Sequence, residues 1–184
     1  KVPTYGYNNY GWSKFIYTGD ELAAAGVSGT IQITGLAFQV SSTISNYVMD
    51  SQRVYMRYAY KPTYGITEVA YPNPPTGGWT YVYEGSVTWN GPGWNTIEFT
   101  APFSYTYTEG QNWGIEVLWE NRDGTKVGGP PSFYGSSVSY SCVYKHQDAS
   151  FPTISGSRGS YHPNIWLMTP PTDVPPPAIM PIPA

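Results

Sequence analysis

Apolar and polar residues alternate in short runs along most of the chain, and the clearest run lies past its middle. Trp113, Ile115, Val117 and Trp119 alternate with Gly114, Glu116, Leu118 and Glu120, the period-2 signature of a strand with one buried face. Ile97 and Phe99 alternate with Thr96, Glu98 and Thr100 in the same way. Between them Pro102, Phe103, Tyr105 and Tyr107 supply bulky apolar area, and Glu109-Gly110-Gln111-Asn112 supplies a turn. Residues 94–120 thus predict two strands joined by an aromatic connection. The second belongs at the centre of a sheet, because an edge would leave two tryptophans in water.

The remaining elements follow from the same reading. Residues 1–13 are aromatic and polar without period and read as an arm laid over the surface; residues 14–18 suit a first short strand. Thr18-Gly19-Asp20-Glu21 fits a capping box, Leu22 to Ala25 continues it as a short helix, and Gly26 supplies the stop. Thr30 to Val40 is a strand whose apolar set shifts phase at Gly35, from Ile31 and Ile33 to Leu36, Phe38 and Val40. One extra residue at a glycine signals a bulge. Residues 41–51 read as a polar loop, and 52–60 as a strand with Val54, Met56, Tyr58 and Tyr60 on one face.

Residues 61–79, rich in proline and holding Gly77-Gly78, form a long irregular loop, of a length that is usually functional or disordered. A strand over 81–89, interrupted at Gly85, leads into an Asn90-Gly91-Pro92-Gly93 turn. Asn121-Arg122-Asp123-Gly124 reads as a hairpin turn, and residues 137–144 and 165–168 as the last strands. From Pro170 the composition turns proline-rich, as in a polyproline-II linker or anchor. The expected architecture is all-β: an antiparallel β-sandwich of jelly-roll type with one short helix near the N-terminus. Its divisions are an aromatic arm (1–13), the sandwich (14–168) and a proline-rich tail (169–184).

Composition sharpens this picture. Of 184 residues 17% are aromatic and only 11% charged, with 18 Tyr, 7 Trp and a formal charge of −3. That balance favours half-buried pleated surfaces and gives no basic footprint for nucleic acid or an anionic membrane. No run approaches the apolar length that spans a bilayer, so membrane insertion is not expected. One cysteine, Cys142, excludes an internal disulfide. Lys1-Val2-Pro3 looks like a start after processing, and few charges with many Tyr, Thr, Ser and Asn point to an extracellular or bacterial cell-surface location.

Several short motifs occur in an order that resembles a known family. Ile16-Tyr17-Thr18 with Glu21-Leu22, Gly29-Thr30-Ile31, Gly35-Leu36-Ala37-Phe38 and Val54-Tyr55-Met56 are followed by Tyr83-Glu84-Gly85-Ser86-Val87 and Trp94-Asn95-Thr96-Ile97-Glu98-Phe99. Pro102-Phe103-Ser104-Tyr105, Asn112-Trp113, Arg158 and Pro163-Asn164-Ile165 complete the series. The chain resembles, over about residues 10–168, the adhesin-like jelly-roll modules of large bacterial surface proteins exported by the type IX secretion route. The resemblance implies a secreted β-sandwich serving adhesion or surface structure, with no catalytic residues to carry over. The chain departs from it in lacking a recognisable C-terminal sorting domain.

Candidate chemistry is sparse. Glu116 and Glu120 share a strand face, yet four residues at about 3.3 Å each place them roughly 13 Å apart, beyond the roughly 5–9.5 Å of glycosidase pairs. Glu98 and Glu116 could sit closer across neighbouring strands; solvated strand positions explain all three. Cys142 and His146 lack an orienting partner for nucleophilic catalysis, and His162 beside Pro163 makes too few histidines for zinc. No catalytic residue and no metal ligand is therefore assigned. Calcium stays open, with Asp20, Asp50, Asp123 and Asp148 in expected loops but no calcium-loop spacing and no ligand set.

Aromatic residues remain. Trp79, Trp89 and Trp94 lie in or beside expected loops, where a ring can stack on a sugar or a partner or else plug the end of the sandwich. Tyr5, Tyr7, Tyr10 and Trp12 would make the arm an assembly element, since such rings favour interfaces. Two functions follow. The first is a non-enzymatic extracellular structural or adhesive module, self-assembling with copies of itself or neighbouring modules into a filament or surface array. The second is a carbohydrate-binding module of a secreted multi-domain protein, with glycans as partners.

Overall fold

A computed structural model describes residues 2–72, 76–125 and 128–170; the proline-rich tail, apart from its first residues, lies outside them. The elements in order are β1 (Tyr10–Tyr17), α1 (Gly19–Ala24), β2 (Thr30–Ala59), β3 (Thr80–Thr106), β4 (Gly114–Asn121), β5 (Gly135–Ser136), β6 (Cys142–Gln147), β7 (Ser157–Gly159), β8 (His162–Pro163) and β9 (Ile165–Met168). The main sheet runs β3-β2-β4-β1-β6-β7 with β9 added on β2, and its pairings are antiparallel. The chain is an antiparallel all-β protein with one short helix among the described residues.

Two layers arise because β2 and β3 are long and change neighbours along their length. The first part of β2 pairs with the end of β3 and, through Gly35 to Phe38, with β9. Its last part, Gln52 to Ala59, pairs with the start of β3 and with β4. Irregular register between Val40 and Gln52 lies between the two regimes, with Asn46 and Ser51 at positive φ. The inner faces then meet: Phe38 reaches Trp119 at 5.6 Å and Phe15 at 6.3 Å, although its own stretch of β2 pairs with β3 and β9 and not with β4 or β1. Trp89, Phe38, Trp119, Phe15 and Val54 are all fully buried in this core.

Five expected features differ. Residues 41–51 are strand rather than loop, because they keep pairing with residues 87–91. For the same reason Asn90 to Gly93 do not turn the chain: Gly91 and Gly93 oppose Ile44 and Val40 within the ribbon. Nor does the 97–100 strand pair with β4, since β2 stands between them, which also separates Glu98, opposite Gly35, from Glu116. Asn121 to Gly124 leads out of the sheet and makes no hairpin, as the next strand, β5, pairs with β8. The expected strand over 137–144 starts only at Cys142, after Tyr140 at φ +55°.

Other readings match. The bulge falls between Ile33 and Gly35, β9 spans Ile165–Met168, and β4 is central, between β2 and β1. The capping box is complete: the Glu21 amide donates to Thr18 Oγ1 at 3.2 Å and the Thr18 amide to Glu21 Oε2 at 2.7 Å. Gly26 follows the helix at φ +92°.

The N-terminal segment is built into the domain. Residues 10–13, expected in the arm, form the start of β1 with partners on both sides. Val2 is a core residue, Ser13 Oγ donates to the Pro3 carbonyl, and Thr4 Oγ1 lies 3.5 Å from Gln52 Oε1. Of the four arm aromatics Trp12 is 1% exposed and only Tyr7, at 51%, stands largely in water.

Candidate functional site

The outer face of β2-β4-β1-β6 should be wet by its alternation, and it is not. Register places Arg57 opposite Glu116 and Arg53 opposite Glu120, with Lys14 facing Leu118 on one side and Val143 on the other. Parts of the 60–79 segment and Phe151 lie over this row, so that Trp12, Ile16, Tyr64, Tyr71, Leu118 and Val143 form a second buried cluster. Glu116 and Glu120 are 1% and 0% exposed. Buried carboxylates need partners, and each has a tyrosine and an arginine. Glu116 accepts from Tyr64 Oη at 2.7 Å and from Arg57 Nε at 2.6 Å. Glu120 accepts from Tyr71 Oη and from Arg122 Nε, the latter at 2.6 Å.

The cover continues this chemistry. Lys14 Nζ donates to the Ala70 carbonyl at 3.1 Å, and its burial pulls the ammonium below its ordinary range. Burial first, then the adjacent carboxylates, push the Tyr64 and Tyr71 hydroxyls above theirs. Arg57 lies 4.4 Å above the Trp79 ring, and Arg122 3.8 Å above Phe151. These two carboxylates are thus architectural, and the expectation of solvated strand positions is corrected for Glu116 and Glu120, while Glu98 is exposed as expected: the sequence shows alternation but not what covers the second face.

Other titratable candidates also have structural partners. Cys142 and His146 lie four residues apart on β6, with the Tyr144 ring stacked on His146 at 5.7 Å. Burial raises the Cys142 thiol above its ordinary range, away from the thiolate a nucleophile needs. His162, missed as a structural tie, stacks on Tyr17 at 4.7 Å, bonds the Ile16 carbonyl through Nδ1 at 2.8 Å and lies 3.4 Å from Glu21. Asp123 accepts the Asp50 amide at 3.0 Å, and Asp148 accepts Asn8 Nδ2 at 3.0 Å. Among the described residues no three His, Cys, Asp or Glu gather where a metal could sit, and no helix is long and apolar enough to cross a membrane.

No family model, curated protein or solved structure matches the chain.

The three tryptophans separate cleanly. Trp89 is 0% exposed, packed on Phe133 at 5.0 Å and Trp119 at 5.8 Å; it holds the core and cannot stack on a ligand. The reason is that 81–93 is continuous strand, so Trp89 alternates inward. Trp79 is half-buried with Arg57 over its ring. Trp94, 37% exposed, borders an open cleft of about 650 Å3 with Thr43, Ser45, Asn90 and Pro92. It meets Trp166 edge to face at 6.2 Å. A ring beside hydroxyl and amide groups in an open cleft suits the face of a sugar, whose C–H groups stack while its hydroxyls find donors and acceptors. Tyr60 and Trp113, 68% and 40% exposed, are ligand-accessible aromatics that the alternation alone put on an inner face.

Proposed function

We propose that the chain is a non-enzymatic adhesive module of jelly-roll type, working outside the cell or at a bacterial surface, that holds carbohydrate. The observation that carries this reading is Trp94 at the mouth of its hydroxyl- and amide-lined cleft. Two things support it. The carboxylates that could serve hydrolysis are engaged beneath the covering segment, each bonded to a tyrosine and an arginine. The resemblance to adhesin-like modules of type IX-exported proteins points the same way. Self-assembly through the N-terminal aromatics has less support, because Trp12 serves the second core and Tyr7 alone is largely exposed.

A panel of neutral oligosaccharides tests the reading. Trp94→Ala should lower glycan affinity at least roughly tenfold while the unfolding free energy stays within about 0.5 kcal/mol. Trp89→Ala should instead cost about 3–5 kcal/mol, as an emptied core position does. A wild-type chain that binds no neutral glycan, or a Trp94→Ala chain that binds unchanged, would overturn the cleft assignment.

A further inference from the structure

A second cavity, of about 440 Å3, opens where β2 runs into the covering segment; Arg57, Tyr60, Lys61, Gly77, Gly78 and Glu116 line it. That volume is in the range of small-ligand sites. Arg57 is held there on two sides, by its Nε bond to Glu116 at 2.6 Å and by the Trp79 ring 4.4 Å away. Among the described residues its Nη groups meet no hydrogen-bond partner. Of the charged groups lining the cavity Lys61 is paired with Glu68, and Lys14, bonded to the Ala70 carbonyl, adds a further cation close enough to interact with Arg57. A fixed guanidinium whose Nη groups have no hydrogen-bond partner among the described residues matches the planar pair of acceptors on a carboxylate, or two oxygens of a sulfate.

The rim adds a different contact. Tyr60 is 68% exposed and is braced edge to face by Trp113 at 5.2 Å. A bare inorganic anion has no use for such a ring, and a neutral sugar would leave the guanidinium unanswered. We propose that this cavity binds an acidic sugar residue, its ring against Tyr60 and its carboxylate or sulfate on Arg57. The site is separate from the Trp94 cleft and rests on the adhesive reading only in treating the chain as a glycan binder.

Isothermal titration of the full chain tests it with three probes: oligogalacturonate, its methyl ester, and a sulfated oligosaccharide of neutral backbone. The wild type should bind at least one acidic probe, ignore the ester, and bind more weakly as salt rises. Arg57→Lys keeps a charge for Glu116 but loses the fork, and Tyr60→Ala removes an exposed ring; each should weaken binding roughly tenfold or more. Tyr134→Ala, an exposed ring outside both sites, should change nothing. Binding of the uronate alone or of the sulfated probe alone says which anion is read. Equal binding of acid and ester, no binding of either acidic probe, or an unaffected Tyr60→Ala chain overturns the proposal, and the last variant serves even if Arg57→Lys fails to fold. Neutral glycans still held at Trp94 in that case would leave the preceding reading standing.

Discussion

At the scale of single residues, the buried Glu116 pair has measurable consequences. Removing one partner of a buried ion pair leaves an uncompensated charge, which costs about 3–5 kcal/mol. Arg57 keeps 29% of its side chain in water, so Glu116→Ala should sit near the low end, about 3 kcal/mol by urea unfolding. A loss below about 1 kcal/mol would mean that the pair behaves as a surface pair. The tyrosines give a pH signature. Tyr17 and Tyr64 are raised well above their ordinary value of 10.0, chiefly by burial. The fold therefore favours their neutral form: that contribution is complete below pH 10 and is lost as pH rises beyond it. Near-ultraviolet titration of the native chain should leave a group of tyrosines protonated past pH 10 until the protein unfolds, and ionisation of every tyrosine in one step near pH 10 with the fold intact would contradict this. Sequence showed that Glu116 alternates away from Val117; it could not show the cover, since nothing local in residues 60–79 says where they lie.

At the scale of elements, most strands are legible in the sequence, residues 41–51 and 137–141 apart, and their connections are not. The bulge at Gly35, the helix cap at Thr18 and β9 follow from residues adjacent in sequence. The Asn90-Gly91-Pro92-Gly93 segment has turn composition, yet its long-range pairing with β2 keeps it in the ribbon. Gly114 illustrates a requirement invisible in sequence: a Cβ there would lie 1.9 Å from the Tyr17 carbonyl oxygen, so β1 and β4 close only around a glycine. The N-terminal segment likewise reads as an appendage until Val2 is seen in the core. Deleting residues 1–8 should remove one buried aliphatic side chain and the contacts of Pro3 and Thr4, a loss of about 2–3 kcal/mol. Thermal unfolding should then fall by roughly 4–12 °C for a chain of this size; an unchanged melting temperature would show the segment to be dispensable.

At the scale of the whole molecule, the aromatic composition suits half-buried pleated surfaces, and much of that aromatic area lies inside. The fold carries two buried clusters, one between the layers and one beneath the covering segment. The Trp94 cleft lies apart from the second cluster, whereas the Arg57 cavity borders it through Ala59 and the buried Glu116; of their exposed rings only Trp94 is a ligand candidate by sequence. The place of β1 has one more consequence. It precedes every other described strand of the domain in sequence, yet its neighbours are β4 and β6, so Phe15 waits for Val117 and Cys142. Roughly a hundred residues must follow it before it has a hydrogen-bonding partner in the main sheet, a separation that makes folding slow through chain entropy. A ribosome delivering the chain N-terminus first therefore presents Trp12, Phe15, Ile16 and Tyr17 without their sheet partners until β4 and β6 follow. Until β6 arrives this strand stays open to any passing holder of unpaired strands, and the domain closes late, near the end of its own delivery.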